Sequence, residues 1–138
     1  MVALSCIQLK KYESAINYLK KAIKFASEDL DIYYCNIGNA YKARQKYFLA
    51  SKNYLKSIKI NPYCFESFNN LGNIFLSFHK YEKAINYFLK ALILKPDSSE
   101  ILNNLGILFY NLKKYDKAYK YSYKALKFNK ISTHWLNV

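Results

Sequence analysis

The sequence predicts an all-α fold, an α-solenoid of antiparallel helix pairs. Three observations predict it. The tripeptide Asn-aliphatic-Gly recurs at Asn36-Ile37-Gly38, Asn70-Leu71-Gly72 and Asn104-Leu105-Gly106, with 34 residues between successive copies. A fixed period of that size marks a stack of one supersecondary unit, each burying its apolar face against its neighbours. Within the period, apolar residues form two stripes at i, i+3 and i+7, the spacing of an amphipathic helix. Only three Gly and two Pro occur in 138 residues. That leaves no linker and no low-complexity tract, and the length is that of a single domain over 1–138.

Let the glycine be position 8 of the unit. Three full units then span 31–64, 65–98 and 99–132. Positions 4, 7 and 11 give the first helix its stripe: Tyr34, Ile37 and Tyr41, then Phe68, Leu71 and Phe75, then Leu102, Leu105 and Phe109. Positions 17, 20, 24 and 27 give the second: Tyr47, Ala50, Tyr54 and Ser57, then Tyr81, Ala84, Phe88 and Ala91, then Tyr115, Ala118, Ser122 and Ala125. Small residues at 8, 20 and 27 let helix axes approach, and the aromatics fill the space between. Asn61-Pro62 and Lys95-Pro96 end second helices, because proline lacks an amide proton and restricts the residue before it. Asp97-Ser98-Ser99 offers a side-chain oxygen to cap the next helix. The last full unit departs from the others, with Ser122 and Lys130 where an aromatic and a proline are expected.

A partial unit covers 1–30. Lys11–Ile16 aligns with Lys80–Ile85, so Tyr12, Ala15, Leu19 and Ala22 carry a second-helix stripe. Its first helix is cut short, with Ala3 at the glycine position. At the other end, Thr133-His134-Trp135-Leu136 opens a further helix over 133–138. Both ends fall inside repeats, whereas a solenoid normally closes with a polar-faced cap. The expectation is a segment of a longer array, or self-association through the exposed repeat ends.

This pattern resembles the tetratricopeptide repeat. Eight positions recur in register over three units, and the resemblance covers nearly the whole chain. The family's tryptophan at position 4 is replaced by Tyr34, Phe68 and Leu102. The resemblance implies a right-handed superhelix with first helices lining a concave groove and second helices forming a convex back. It implies a non-enzymatic scaffold for protein partners.

Composition narrows the function classes. No run approaches the ~18 apolar residues of a membrane span, and Val2-Ala3-Leu4 makes a poor signal peptide. Cys6, Cys35 and Cys64 form no CxxC pair and share no repeat position, which argues for a reducing, intracellular setting, cytoplasmic or nuclear. No metal site and no cofactor are expected, since structural zinc needs four clustered ligands. No phosphate loop or catalytic constellation is visible, so the chain is read as not an enzyme.

The net charge is +13, and Arg44 is the sole arginine. The lysines fall mostly on second helices and alternate with core positions, as on a solvated face. A basic back that binds RNA or another polyanion is one reading. Scarce arginine weighs against it, because bidentate phosphate recognition favours arginine. AT-rich codon usage is another source of both lysine and asparagine.

First helices look different. Asn36, Asn39, Asn69, Asn70, Asn73, Asn103 and Asn104 crowd positions 5, 6 and 9, although asparagine is a poor helix former. Its amide offers an acceptor and two donors, which suits bonding to the backbone of an extended peptide. Some arrays of this family use such an asparagine ladder, and Asn36, Asn70 and Asn104 match its position. Glu66 and Glu100 at position 2 favour a neutral or basic peptide. The subclass that clamps a chaperone's C-terminal carboxylate needs cations where Cys35, Glu100 and Asn104 stand, so that mode is disfavoured. A further alternative is the repeat region of a larger enzyme such as an O-linked N-acetylglucosamine transferase.

Overall fold

The computed structural model describes the backbone of residues 2–136 and the side chains of residues 8–129. The expectations attached to the side chains of Ala3, Cys6 and Thr133–Leu136 lie outside that range. The described residues form seven helices and no strand: α1 Val2–Ile23, α2 Leu30–Ala43, α3 Tyr47–Ile60, α4 Phe65–Ser77, α5 Tyr81–Leu94, α6 Ser99–Asn111 and α7 Tyr115–Leu136. The all-α helical repeat expected from the period is present. The chain divides into two compact units, Met1–Ser67 and Phe68–Val138.

In the first unit α2 packs on α3, and α1 packs on α2. The Tyr54 ring is fully buried and lies on Gly38, where a Cβ would come 2.6 Å from a ring carbon. That approach requires glycine at position 8. Ile16, Ile37 and Ala40 form the seam between α1 and α2, with Tyr12, Leu19, Ile23 and Tyr41 packed around them. Full burial of an isoleucine such as Ile16 or Ile37 contributes about 1.5–3 kcal/mol.

In the second unit Phe88 lies on Gly72 in the same way, and a Cβ on that glycine would again come 2.6 Å from a ring carbon. α6 covers α5, and Ile101, Leu105 and Leu108 are fully buried. Position 11 meets position 23 as a stacked ring pair twice. Phe75 and Tyr87 have centroids 5.3 Å apart, and Phe109 and Tyr121 5.4 Å apart. The first unit has Asn53 at position 23, which brings no ring to the stack.

Each turn between paired helices has one design. Gln45, His79 and Lys113 sit at position 15 with φ of 58°, 55° and 57°, in the left-handed region. The next amide reaches back to the carbonyl of position 11: Lys46 to Tyr41, Lys80 to Phe75 and Lys114 to Phe109, each at 2.9 Å. The left-handed residue's own amide bonds the position 12 carbonyl. These are Schellman caps built without glycine. Second helices end as expected: the Asn61 amide bonds Ser57 O and the Lys95 amide bonds Ala91 O, just before Pro62 and Pro96. Ser98 caps α6, its hydroxyl accepting from the Ile101 amide.

Two elements differ from expectation. Residues 9–12, Leu-Lys-Lys-Tyr, stay helical inside α1, whereas the identical tetrapeptide at 112–115 turns between α6 and α7. The turn is therefore decided by how the flanking helices pack, since the local sequence is the same. α7 runs unbroken through 130–133, so no separate helix begins at Thr133. Lys130 stands where Pro62 and Pro96 stop their helices, and lysine propagates a helix.

Candidate functional site

The predicted asparagines separate into three environments. Asn69, on α4, is buried and bridges two α6 side chains. It donates to Glu100 Oε1 at 2.7 Å and accepts from Asn104 Nδ2 at 3.0 Å. Glu100 and Asn104 are one turn apart on α6, so both face the same α4 position. The result is a directional chain, Asn104 to Asn69 to Glu100. Burial explains it: an unpaired amide there would cost about 1–3 kcal/mol. Three of the nine candidates are thereby joined in one helix-to-helix polar contact, and the buried Asn69 has a packing role that its spacing did not reveal.

Asn39, on α2, accepts a 2.7 Å bond from the Tyr54 hydroxyl. The ring that fills the space beside Gly38 is thus anchored at its polar end by an asparagine one residue on from that glycine. Asn36 and Asn39 both line a groove between α1 and α2 of about 550 Å3. Tyr12, Ala15, Tyr18 and Leu19 supply its α1 wall, and Ala40 and Ala43 complete the α2 wall. Asn36 is exposed there. In the second unit Asn70 and Asn73 are half-buried and Asn103 is exposed. Glu66 is exposed and accepts a 3.7 Å contact from the Cys64 thiol.

Cys35 and Cys64, unrelated by repeat position, meet in a buried polar knot of the first unit. Ser67 Oγ donates to Ser57 Oγ at 2.9 Å, Ser57 donates to Cys64 Sγ at 3.5 Å, and Cys64 lies 3.3 Å from Ser67 Oγ. Interaction with the neighbouring Cys64 thiol, then burial, pushes the Cys35 thiol up. Interaction with Cys35, helped by Ser67 and Ser57, lowers the Cys64 thiol against the opposing effect of burial. Ser57 occupies position 27, where Ala91 and Ala125 stand in the other units. That substitution is the signal that could have disclosed the knot. A second contact missed from the sequence ties position 1 to position 31, where Asn61 Nδ2 donates to Asp31 Oδ2 at 2.7 Å.

Four lysines of the second helices lie over first-helix rings. Lys56 lies 5.1 Å from the Tyr34 centroid and Lys90 5.9 Å from that of Phe68, a repeat of position 26 over position 4. Lys83 and Lys117 at position 19 lie 5.6 and 5.4 Å from Phe75 and Phe109. These are cation–π distances. Among the described residues, no three or more His, Cys, Asp or Glu gather as metal ligands, and no helix is long and apolar enough to cross a membrane.

Comparison with known proteins agrees with this architecture. The family model of the tetratricopeptide repeat matches residues 1–29 and 32–64. The model of the fourth ARM domain of tetratricopeptide repeat protein 21 matches residues 68–136, half of the chain. No curated protein sequence matches. Among solved structures, a crystal structure of MamA superposes with a TM-score of 0.79 at 23% identity, over 89% of this chain and 71% of that one. A second MamA crystal structure gives 0.75 at 22% identity, over 90% of this chain and 67% of that one. With repeat period, glycine-on-ring packing and family models in agreement, the chain belongs to the tetratricopeptide repeat family.

Proposed function

We propose that this chain is a non-enzymatic protein–protein interaction scaffold that holds an extended peptide segment of a partner against its first-helix asparagines. One observation supports the reading above the rest: Asn36 and Asn39 stand on the wall of the apolar groove between α1 and α2. An extended peptide needs donors and acceptors for its backbone and apolar wall for its side chains. The groove offers both, with Tyr12 and Tyr18 as aromatic wall. Asn39 is held in place by Tyr54, which reduces the ordering that binding demands. Within the second unit, Asn70, Asn73 and Asn103 stand beside the Asn69–Glu100–Asn104 contact and offer side-chain amides of the same chemistry. Glu66 and Glu100 favour a neutral or basic segment.

A phage-displayed peptide library panned against the full chain tests this. Neutral or basic sequences should enrich, and Asn36→Ala with Tyr18→Ala should weaken their binding about tenfold. Enrichment of acidic sequences, with binding indifferent to those two changes, would refute the reading.

A further inference from the structure

The third hairpin departs from the other two at position 24, and the departure leaves a hollow. Tyr54 lies on Gly38 and Phe88 on Gly72, both rings fully buried. Ser122 stands over Gly106 instead, its hydroxyl taking only part of a ring's place. A pocket of about 440 Å3 opens there. Gly106, Ala118 and Ser122 form its floor, and Ile107, Tyr110 and Tyr119 its walls. The wall residues are exposed, at 51%, 64% and 72%. The corresponding floor on α4 and α5 is closed, by the Phe88 ring and by α6 packed on α5, and Ala84 and Phe88 are 0% exposed.

We propose that this pocket binds an aromatic side chain, a Phe or Tyr ring carried by a protein partner. Three features choose that ligand. The missing group is itself an aromatic ring, supplied internally in the other two units. Among the described residues no charged side chain lines the pocket, so a charged ligand would be desolvated without compensation. Tyr110 and Tyr119 present rings at the rim, and ring pairs contribute about 0.5–1.5 kcal/mol beyond burial. The site shares no residue with the groove between α1 and α2, so the two readings stand or fall separately.

The test is a titration of the isotopically labelled full chain with N-acetyl-phenylalanine amide and N-acetyl-leucine amide, read by amide chemical shifts. The phenylalanine probe should shift residues around 106–110 and 118–122 saturably, and bind about fivefold more tightly than the leucine probe. Ser122→Phe fills the hollow from within and should abolish the shifts while raising Tm. Tyr119→Ala should weaken binding without filling the pocket. No saturable shift, equal affinity for the two probes, or binding unchanged in Ser122→Phe would overturn the proposal. Concentration-dependent self-association that Ser122→Phe abolishes would overturn the assignment to another protein, by making the occupant a second copy of this chain.

Discussion

Asn69 and Glu100 are joined by a 2.7 Å hydrogen bond from the buried amide of α4 to the carboxylate of α6. Asn104 completes the contact by donating to the Asn69 carbonyl at 3.0 Å. Replacing Asn69 with alanine leaves two α6 groups without their partner and removes a buried polar contact. The expected loss is about 1–3 kcal/mol in chemical denaturation. Asn103→Ala, at an exposed neighbour on α6, should change stability by less than about 0.5 kcal/mol. Equal effects of the two would show that the bridge is not structural.

The glycines separate by what lies over them. A Cβ at Gly38 or Gly72 meets an enclosed ring at 2.6 Å. Gly38→Ala and Gly72→Ala should each destabilise by about 1–3 kcal/mol, the range of overpacking. At Gly106 the obstacle is the Ser122 hydroxyl, which can rotate toward solvent. Gly106→Ala should therefore cost well under half as much. Thermal unfolding of the three variants side by side gives the ranking, and a Gly106 variant as damaging as the others would contradict it.

These contrasts show what was legible in the sequence. The helix pairs, glycine packing, proline stops and Ser98 cap follow from local rules applied at a fixed period, and all recur in the structure. The turns were harder, because Gln45, His79 and Lys113 adopt the left-handed conformation without the glycine that usually announces it. Leu-Lys-Lys-Tyr at 9–12 and 112–115 shows why local sequence cannot place every boundary. At the candidate site, residue type and spacing marked the asparagines but not their division of labour. Asn69 is buried, Asn39 anchors Tyr54, and Asn36 is exposed because each meets a different neighbour across the helix packing. The meeting of Cys35 and Cys64 depends on the α3–α4 connection, which no periodic pattern encodes.

The left-handed turns make a direct prediction. A non-glycine residue in that region costs roughly 1 kcal/mol, and glycine removes the cost. Gln45→Gly and Lys113→Gly should each stabilise the fold by up to about 0.5 kcal/mol, after the added chain entropy of glycine is subtracted. His79 is a poorer choice because its ring contacts the Tyr81 hydroxyl at 3.0 Å. A lower Tm for both glycine variants would mean that the side chains at these turns stabilise more than their backbone costs.

Tyr54 gives the fold an alkaline sensitivity. Burial first, and nearby Cys35 second, push its phenol above the ordinary range. An unfolded phenol loses its proton near pH ~10. Above that pH the unfolded chain releases a proton that the folded chain keeps, so stability present below ~10 falls as pH rises. Tyr54→Phe should be less stable at neutral pH by about 1 kcal/mol, through loss of the Asn39 bond. Its stability should then decline less steeply above pH ~10, by up to about 1.4 kcal/mol per pH unit. Parallel curves for the two proteins between neutrality and pH ~12 would exclude this titration as the cause.

The position 26 lysines distinguish a packed face from a polyanion-binding face. Lys56 and Lys90 lie over Tyr34 and Phe68, whereas Lys124 has Leu102 at the corresponding place. If these lysines act through their rings, Lys56→Ala and Lys90→Ala should each lose about 0.5–1 kcal/mol of stability and Lys124→Ala almost none. If they act as a charged surface, all three should weaken binding to a polyanion such as heparin alike and reduce its salt dependence. Unfolding and heparin affinity measured on the same three variants separate the two. Uneven stability with no heparin affinity to lose would assign the lysines to packing, and uniform losses of heparin affinity with unchanged stability would restore the polyanion reading.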